Sequence, residues 1–228
     1  KELLWFLKGE TDATILSKQG VRIWDGNTSA NALRRRGLDY RPGDAGPVYG
    51  FQWRHWGAPY RGSDGGPYGG HDQLAALVRG LREDPTSRRH IVSAWNVSDL
   101  DKMALPPCHI LFQCYVNNNR TLDLHLYQRS VDVGLGLPFN IASYATLIHL
   151  ISSVTGLVPG RLIISTGDTH IYRDHIDAIQ TQLQRMPRHP PRLLIKTNKH
   201  TRLDQFSEGD IKLVDYDPHG AIRMAMSV

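Results

Sequence analysis

Cys108 follows two prolines, Pro106 and Pro107, and is itself followed by His109. The prolines make a rigid approach to residues 109–116, which are rich in apolar and aromatic side chains and read as a strand. Residues 121–127 alternate Leu with Asp, His and Tyr, and the polar stretch 117–120 reads as the turn of a hairpin. Such a hairpin sets Cys108 at the start of one arm beside Arg129 at the end of the other. A guanidinium next to a thiol lowers its pKa, so the expected chemistry is attack by a thiolate near neutral pH. The competing reading of a free cysteine is a small buried hydrophobe. Cys114, set among Phe112, Tyr115 and Val116, takes that reading; the prolines and Arg129 argue against it for Cys108. On one extended strand the two sulfurs would lie roughly 20 Å apart, beyond disulfide reach, and free thiols fit a reducing compartment.

The elements that must hold these residues are legible as periodicities. Residues 1–7 read as a buried helix, and a second helix is expected from Thr11 or Asp12 to the terminator Gly20. A short strand is expected over residues 21–24, followed by surface insertions at 25–46 and 57–70. Leu74, Leu77, Val78 and Leu81 give an amphipathic helix over 72–84, ended by Pro85. Arg88 and Arg89 stand at the mouth of a strand over 90–95. Residues 140–156 are apolar on nearly every side and predict a central buried helix. A strand over 161–166, a helix over 175–186 and strands over 192–196 and 211–216 complete the chain. No internal repeat or linker divides it. The fold class is therefore α+β: a single domain with a largely antiparallel or mixed sheet, flanking helices and one central buried helix.

With 228 residues, 40% hydrophobic and 21% charged, the chain can bury a sizeable core. No apolar run reads as long enough to span a membrane, and the start shows no cleavable signal, so a soluble cytoplasmic protein is expected, with nuclear or mitochondrial pools as variants. The net charge of +5 admits nucleic acid as a partner, but the arginines are scattered, and a phosphate-bearing small substrate accounts for them as well.

The runs LPPCH, LYQRSVDVGLGLPFNIASY and GDTHIY, with GPVYGFQWRHWG and SRRHIVSAWN upstream, occur in an order and spacing that resemble the thymidylate synthases. The resemblance covers nearly the whole chain, residues 1–228, as one catalytic domain. It implies methyl transfer to dUMP, with 5,10-methylenetetrahydrofolate as co-substrate and no metal. Family members carry a further segment before the first helix, including an arginine for the substrate phosphate. The sequence is accordingly expected to be a fragment, an upstream reductase domain as in fused relatives being one continuation. A charge-assisted contact is worth about 1.5–3 kcal/mol, so losing that arginine would weaken nucleotide binding about ten- to a hundredfold.

Carried over residue by residue, the resemblance makes Cys108 the nucleophile toward the uracil ring. Asn140 reads the pyrimidine: its N–H donates to the ring carbonyl and its oxygen accepts from the imide N–H, with His109 in the network that orients it. The related deoxycytidylate hydroxymethylases carry an aspartate at this position, so Asn140 favours uracil. Glu2 and Tyr49 match the family's proton-handling residues. Arg129 and Ser130 match phosphate ligands, with Gln128, Val131 and Asp132 beside them, while Arg88 and Arg89 reach across from the second subunit of a homodimer. Because Arg129 and Ser130 are consecutive, a regular strand would point them to opposite faces, so a bulge or strand end near Ser130 is expected. His170, Ile171 and Tyr172 lie in the segment that holds the ribose hydroxyl. The folate contacts fall on Ile23, Trp24, Asp132, Leu135, Gly136, Phe139 and Tyr172, with Met226, Ser227 and Val228 closing over them.

Each position has a plainer reading beside this one. Two adjacent arginines are often a solvated strand end, and Leu135 and Phe139 taken singly are ordinary core residues. His170 with His175 is a weak metal pair that lacks a convincing third ligand. Gly26 or Asn27 stands where relatives often carry an aromatic residue or alanine, which alters the edge of the folate pocket. Leu122, Asp123 and Leu124 replace a Leu-Ser-Cys run, with the strand expected to survive. The rival functions are a pyrimidine-nucleotide hydroxymethylase and a non-catalytic protein that binds nucleotide or, weakly, RNA.

Overall fold

The alternating segments on either side of residues 117–120 pair as two strands of the main sheet; of the turn expected between them, Asn119 lies outside the described residues. The computed structural model describes residues 1–118, 120–196 and 199–226. Strands β2 (His109–Val116) and β3 (Thr121–Asp132) pair antiparallel, from Val116 opposite Leu122 to His109 opposite Gln128. A short β1 (Ile91–Ser93) flanks β2 antiparallel, and β4 (Val158–His170) runs parallel to β3. The sheet is thus mixed, in the order β1-β2-β3-β4.

A parallel pair needs a crossover, and α6 (Leu137–Thr155) supplies it, ending at Gly156 with φ 72°. It packs Tyr144, Leu147, Ile148, Leu150, Ile151 and Val154 into the core that also holds the fully buried Phe112, Leu122, Leu124 and Leu126. Its first turns leave Phe139 and Ile141 exposed, so the all-round burial expected from its composition holds only for the later turns. At 19 residues and mean hydropathy 1.3, α6 is long and apolar enough to cross a membrane, against the expectation from run length; here it lies at the centre of the core.

Helix α1 (Glu2–Leu7) buries Leu3, Leu4, Trp5, Phe6 and Leu7 in the same core. Helix α2 (Thr14–Lys18) starts later than expected because the Asp12 carboxylate accepts from the Thr14 N–H and makes a turn first. Residues 21–24 form no strand. The Val21 N–H closes the end of α2 on the Leu16 carbonyl, the Trp24 carbonyl accepts from the Thr28 N–H, and the segment turns without a pairing edge.

The 25–46 stretch is more than a surface loop. It contains α3 (Ala30–Arg35), capped by the Ser29 hydroxyl and anchored by buried Leu33, and it ends in buried Asp44. The Asp44 carboxylate accepts from the Gly46 N–H, the Ser63 N–H and the Tyr60 hydroxyl, so it ties the second insertion to the first. Helices α4 (Tyr49–His55) and α5 (Gln73–Glu83, capped by the Asp72 carboxylate) follow. After β4, the 3-10 turn Arg173–His175 leads into α7 (Ile176–Leu183), and β5 (Arg192–Ile195) pairs antiparallel with β6 (Ile211–Val214).

Two irregularities bear on the site. The register of β2 against β3 slips between His109 and Leu111, while β3 runs against β4 without a shift from Gln128 to Asp132. The bulge expected at Ser130 is therefore absent from β3, and the extra residue sits instead in the arm that starts with Cys108. Two prolines precede that arm, and an imide nitrogen cannot join the ladder, so regular pairing is weakest there. The second shift lies between Leu122 and Leu124, against Pro159 and Leu162 of β4. There Asp123 is buried and its carboxylate accepts from the backbone N–H and guanidinium of Arg161, at 2.7–3.1 Å. The strand survives the Leu-Asp-Leu run as expected, with its faces still alternating: Leu122 and Leu124 enter the core, and Asp123 is buried on the other face beneath Arg161.

Candidate active site

Cys108 is held from three sides. Its N–H donates to the Tyr49 hydroxyl at 2.8 Å, and its carbonyl accepts from the Arg129 N–H at 2.9 Å. The Arg129 guanidinium donates to the carbonyls of Pro107 and Pro106, both at 2.9 Å, which leaves Nη2 4.0 Å from the sulfur. Arg129 thus reaches Cys108 by folding back along the proline segment, with no bulge at Ser130. Trp95 lies beneath the guanidinium, 5.6 Å from the ring centre, a contact that sequence reading missed.

The electrostatics of the thiol depart from the expectation. Partial burial pushes the Cys108 pKa above the usual thiol value, and the Arg129 charge opposes this without overcoming it. The arginine moderates the thiol rather than leaving a ready thiolate in the free protein. Cys114 is fully buried and driven up to about 12, as an inert core thiol should be; both cysteines are free.

Behind the cysteine, His109 stacks on Tyr49 at 4.1 Å and 19°, with its Nδ1 2.7 Å from the Tyr144 hydroxyl. Burial pulls the imidazole down to about 3, so it is neutral at physiological pH. Burial likewise raises the phenols of Tyr49 and Tyr144. The Tyr49 oxygen accepts from Cys108, so its own proton remains available for another partner. Glu2 accepts from the Trp24 indole N–H at 2.7 Å, and burial raises its carboxyl pKa. A carboxyl that holds its proton more readily suits proton transfer.

Asn140, in the first turns of α6, is oriented by Gln128 and not by His109. The buried Gln128 side chain donates through Nε2 to the Asn140 Oδ1 at 3.0 Å, leaving the Asn140 amino group to donate elsewhere. The signal for this was the register, since Gln128 faces the same side of β3 as Leu124 and Leu126, the side on which α6 packs. Ser130 follows on that face, while Val131 is buried and could meet a ligand only through its backbone.

Asp132 stands at the C-terminal end of β3, opposite His170, with its Oδ1 accepting from the Gly134 N–H at 2.9 Å. His170 pairs with Asp168 at 2.9 Å and meets the Tyr172 ring edge-on at 5.1 Å, so these two rings gather at the same strand end; Ile171 between them is exposed. Leu135 and Gly136 form the turn into α6. Ile23 and Phe139 are exposed and line one cavity of about 450 Å³ with Glu2, Ala142 and Ser143, while Trp24 is packed against Trp5, Phe6 and Tyr49 and is a wall rather than a surface. Met226 is exposed; Ser227 and Val228 lie outside the described residues.

Arg88 and Arg89 do not join this chain's Cys108. The His90 carbonyl accepts from the Cys114 N–H, which places both arginines at the far end of β2, about 20 Å along the strand from Cys108. Among the described residues, no group of three His, Cys, Asp or Glu side chains gathers around a metal position.

On an α+β scaffold, a half-buried thiol beside a guanidinium, with an oriented amide on the neighbouring helix, is the arrangement that chemistry by a cysteine nucleophile requires. Comparison with known proteins narrows this. The family profile described as Thymidylate synthase matches residues 1–228. The chain is 51% identical to the thymidylate synthases of Agaricus bisporus and Saccharomyces cerevisiae, along its whole length and over 79% and 78% of theirs. It is 50% identical to the bifunctional dihydrofolate reductase-thymidylate synthase of Leishmania major, of which it spans 44%. The chain belongs to the thymidylate synthase family.

Proposed function

We propose that this chain converts dUMP to dTMP by reductive methylation, as a methyltransferase with 5,10-methylenetetrahydrofolate as co-substrate and Cys108 as the covalent nucleophile. The observation that carries this is the placement of Cys108 and Arg129 on neighbouring strand ends, with the Gln128-oriented Asn140 beside them. The Cys108 sulfur adds to the ring carbon conjugated with the uracil carbonyl, and the electron pair moves onto that oxygen. Asn140 donates to it there. The neighbouring ring carbon becomes nucleophilic and bonds the one-carbon unit; loss of its proton to solvent beside Tyr49 breaks that unit's bond to the folate nitrogen, and hydride transfer to the resulting methylene expels the Cys108 thiolate and restores the ring. The folate supplies the methylene group and the hydride that reduces it.

The described residues fit this co-substrate. Ile23 and Phe139 offer exposed apolar surface for flat rings, and Asp132 has a second carboxylate oxygen without a hydrogen bond among the described residues, suited to ring N–H and amino groups. The dUMP phosphate falls to Arg129 and Ser130, joined by Arg88 and Arg89 of a second copy in a homodimer. The outer face of the sheet supports that assembly, because Ile91, Tyr115, Tyr127 and Ile163 lie exposed on it.

Mixing the protein with dUMP and the folate should raise the absorbance of dihydrofolate in step with dTMP. A hydroxymethylated product without dihydrofolate would point to a hydroxymethylase, and binding without turnover to a non-catalytic relative.

A further inference from the structure

His175, at 0% exposure, lies where the 3-10 turn meets α7. Its Nε2 is 2.7 Å from the Ala225 carbonyl, and a carbonyl only accepts, so this nitrogen carries a proton. The other nitrogen, Nδ1, is buried without a hydrogen-bond partner among the described atoms and faces the Asp132 Oδ1 at 3.9 Å. Unpartnered buried nitrogens are uncommon enough to need a reason. Gly134 closes the cluster: a Cβ there would stand 2.8 Å from His175 Nδ1, 3.1 Å from the Met224 sulfur and 3.4 Å from Asp132 Oδ1. The Tyr172 ring lies edge-on at 5.6 Å. One imidazole therefore hydrogen-bonds the chain at Ala225 and packs beside the loop of Asp132 and Gly134, which Met224 also approaches.

We propose that His175 is a positioning residue that locks the Asp132 loop to the C-terminal segment, so that the polar wall of the folate site and the chain bordering it keep one geometry. The inference rests on the folate reading of Asp132 given above. His175 does not meet the reacting atoms; it acts through the two pieces it holds. Its loss is expected to weaken folate more than nucleotide, because Tyr172, which borders both substrates, meets His175 only ring edge to ring, and Cys108, Arg129 and Asn140 have no hydrogen bond to the cluster.

The test compares His175→Ala, His175→Gln and Gly134→Ala with the wild-type chain, measuring KM for each substrate and amide hydrogen exchange over residues 224–226. With His175→Ala, the folate KM should rise about three- to tenfold, the effect of one buried hydrogen bond, with a much smaller change for dUMP and faster exchange in the tail. Glutamine keeps an N–H for the Ala225 carbonyl and should restore most of the tail protection. Gly134→Ala crowds the same cluster without altering the imidazole and should give the same split, which keeps the test open if His175→Ala fails to fold. Equal rises in both KM values, or a tail whose exchange ignores His175→Ala and Gly134→Ala alike, would overturn the proposal. A wild-type chain that makes no dTMP would defeat the folate reading instead, while tail exchange would still decide whether His175 holds the segment.

Discussion

The Cys108 thiol is caught between two opposing influences, burial that favours the protonated form and the Arg129 charge that favours the thiolate. Burial wins in the free protein, so alkylation of Cys108 by iodoacetamide should be slow at pH 7 and rise with pH past the usual thiol range. At 4 Å in a watery site the guanidinium is worth about 1 kcal/mol, so Arg129→Gln should slow alkylation at fixed pH about fivefold, and Arg129→Lys by less. A rate that ignores Arg129→Gln would show that the arginine does not act on the sulfur. The cysteine, its proline approach and its arginine partner were readable in the sequence because a hairpin is a local structure whose ends can be matched by counting. The sign of the pKa shift was not, since desolvation depends on how the rest of the chain packs around the thiol. Asn140 shows the same division. Its role could be argued from its chemistry, but its orienting partner is Gln128 rather than the neighbouring His109, which is engaged with Tyr144.

Among the strands, the unexpected feature is the slip of β4 against Leu122 and Leu124. Asp123 holds it by accepting from Arg161, and that pairing keeps the Asp123 carboxyl below its usual range. A carboxylate with a depressed native pKa contributes stability above the unfolded value of about 3.9 and loses it as pH falls through the native value. Asp123→Asn should therefore lower the melting temperature at pH 7 by several degrees, with the gap to wild type closing as pH falls below about 4. A gap independent of pH would mean that packing alone holds the slip. Strand and helix periodicity located most of the longer elements, yet it missed the short helices α3 and α4 and several further features. The strand expected at 21–24 found no edge to pair with, the bulge went to the proline-led arm, and β4 extended well beyond 161–166 because β3 offered a parallel partner that local sequence cannot reveal.

For the assembled molecule, the positions of Arg88 and Arg89 matter most. At the far end of β2 they cannot serve their own Cys108, so a phosphate role for them requires two copies. Mixing a Cys108→Ser chain with an Arg88→Ala/Arg89→Ala chain should restore activity above that of either variant alone, because one site of each hybrid is intact. Absence of any recovery, with hybrids demonstrated by native mass spectrometry, would place those arginines elsewhere. Tyr127→Asp on the exposed sheet face should separate the copies in sedimentation experiments. Addition of the Cys108 sulfur to a uracil ring is measured most directly by release of tritium, during turnover, from the labelled ring carbon of dUMP that takes up the one-carbon unit. Wild type should release tritium in step with dTMP formation, while Cys108→Ser should still bind dUMP and release none; release by Cys108→Ser at the wild-type rate would contradict covalent addition.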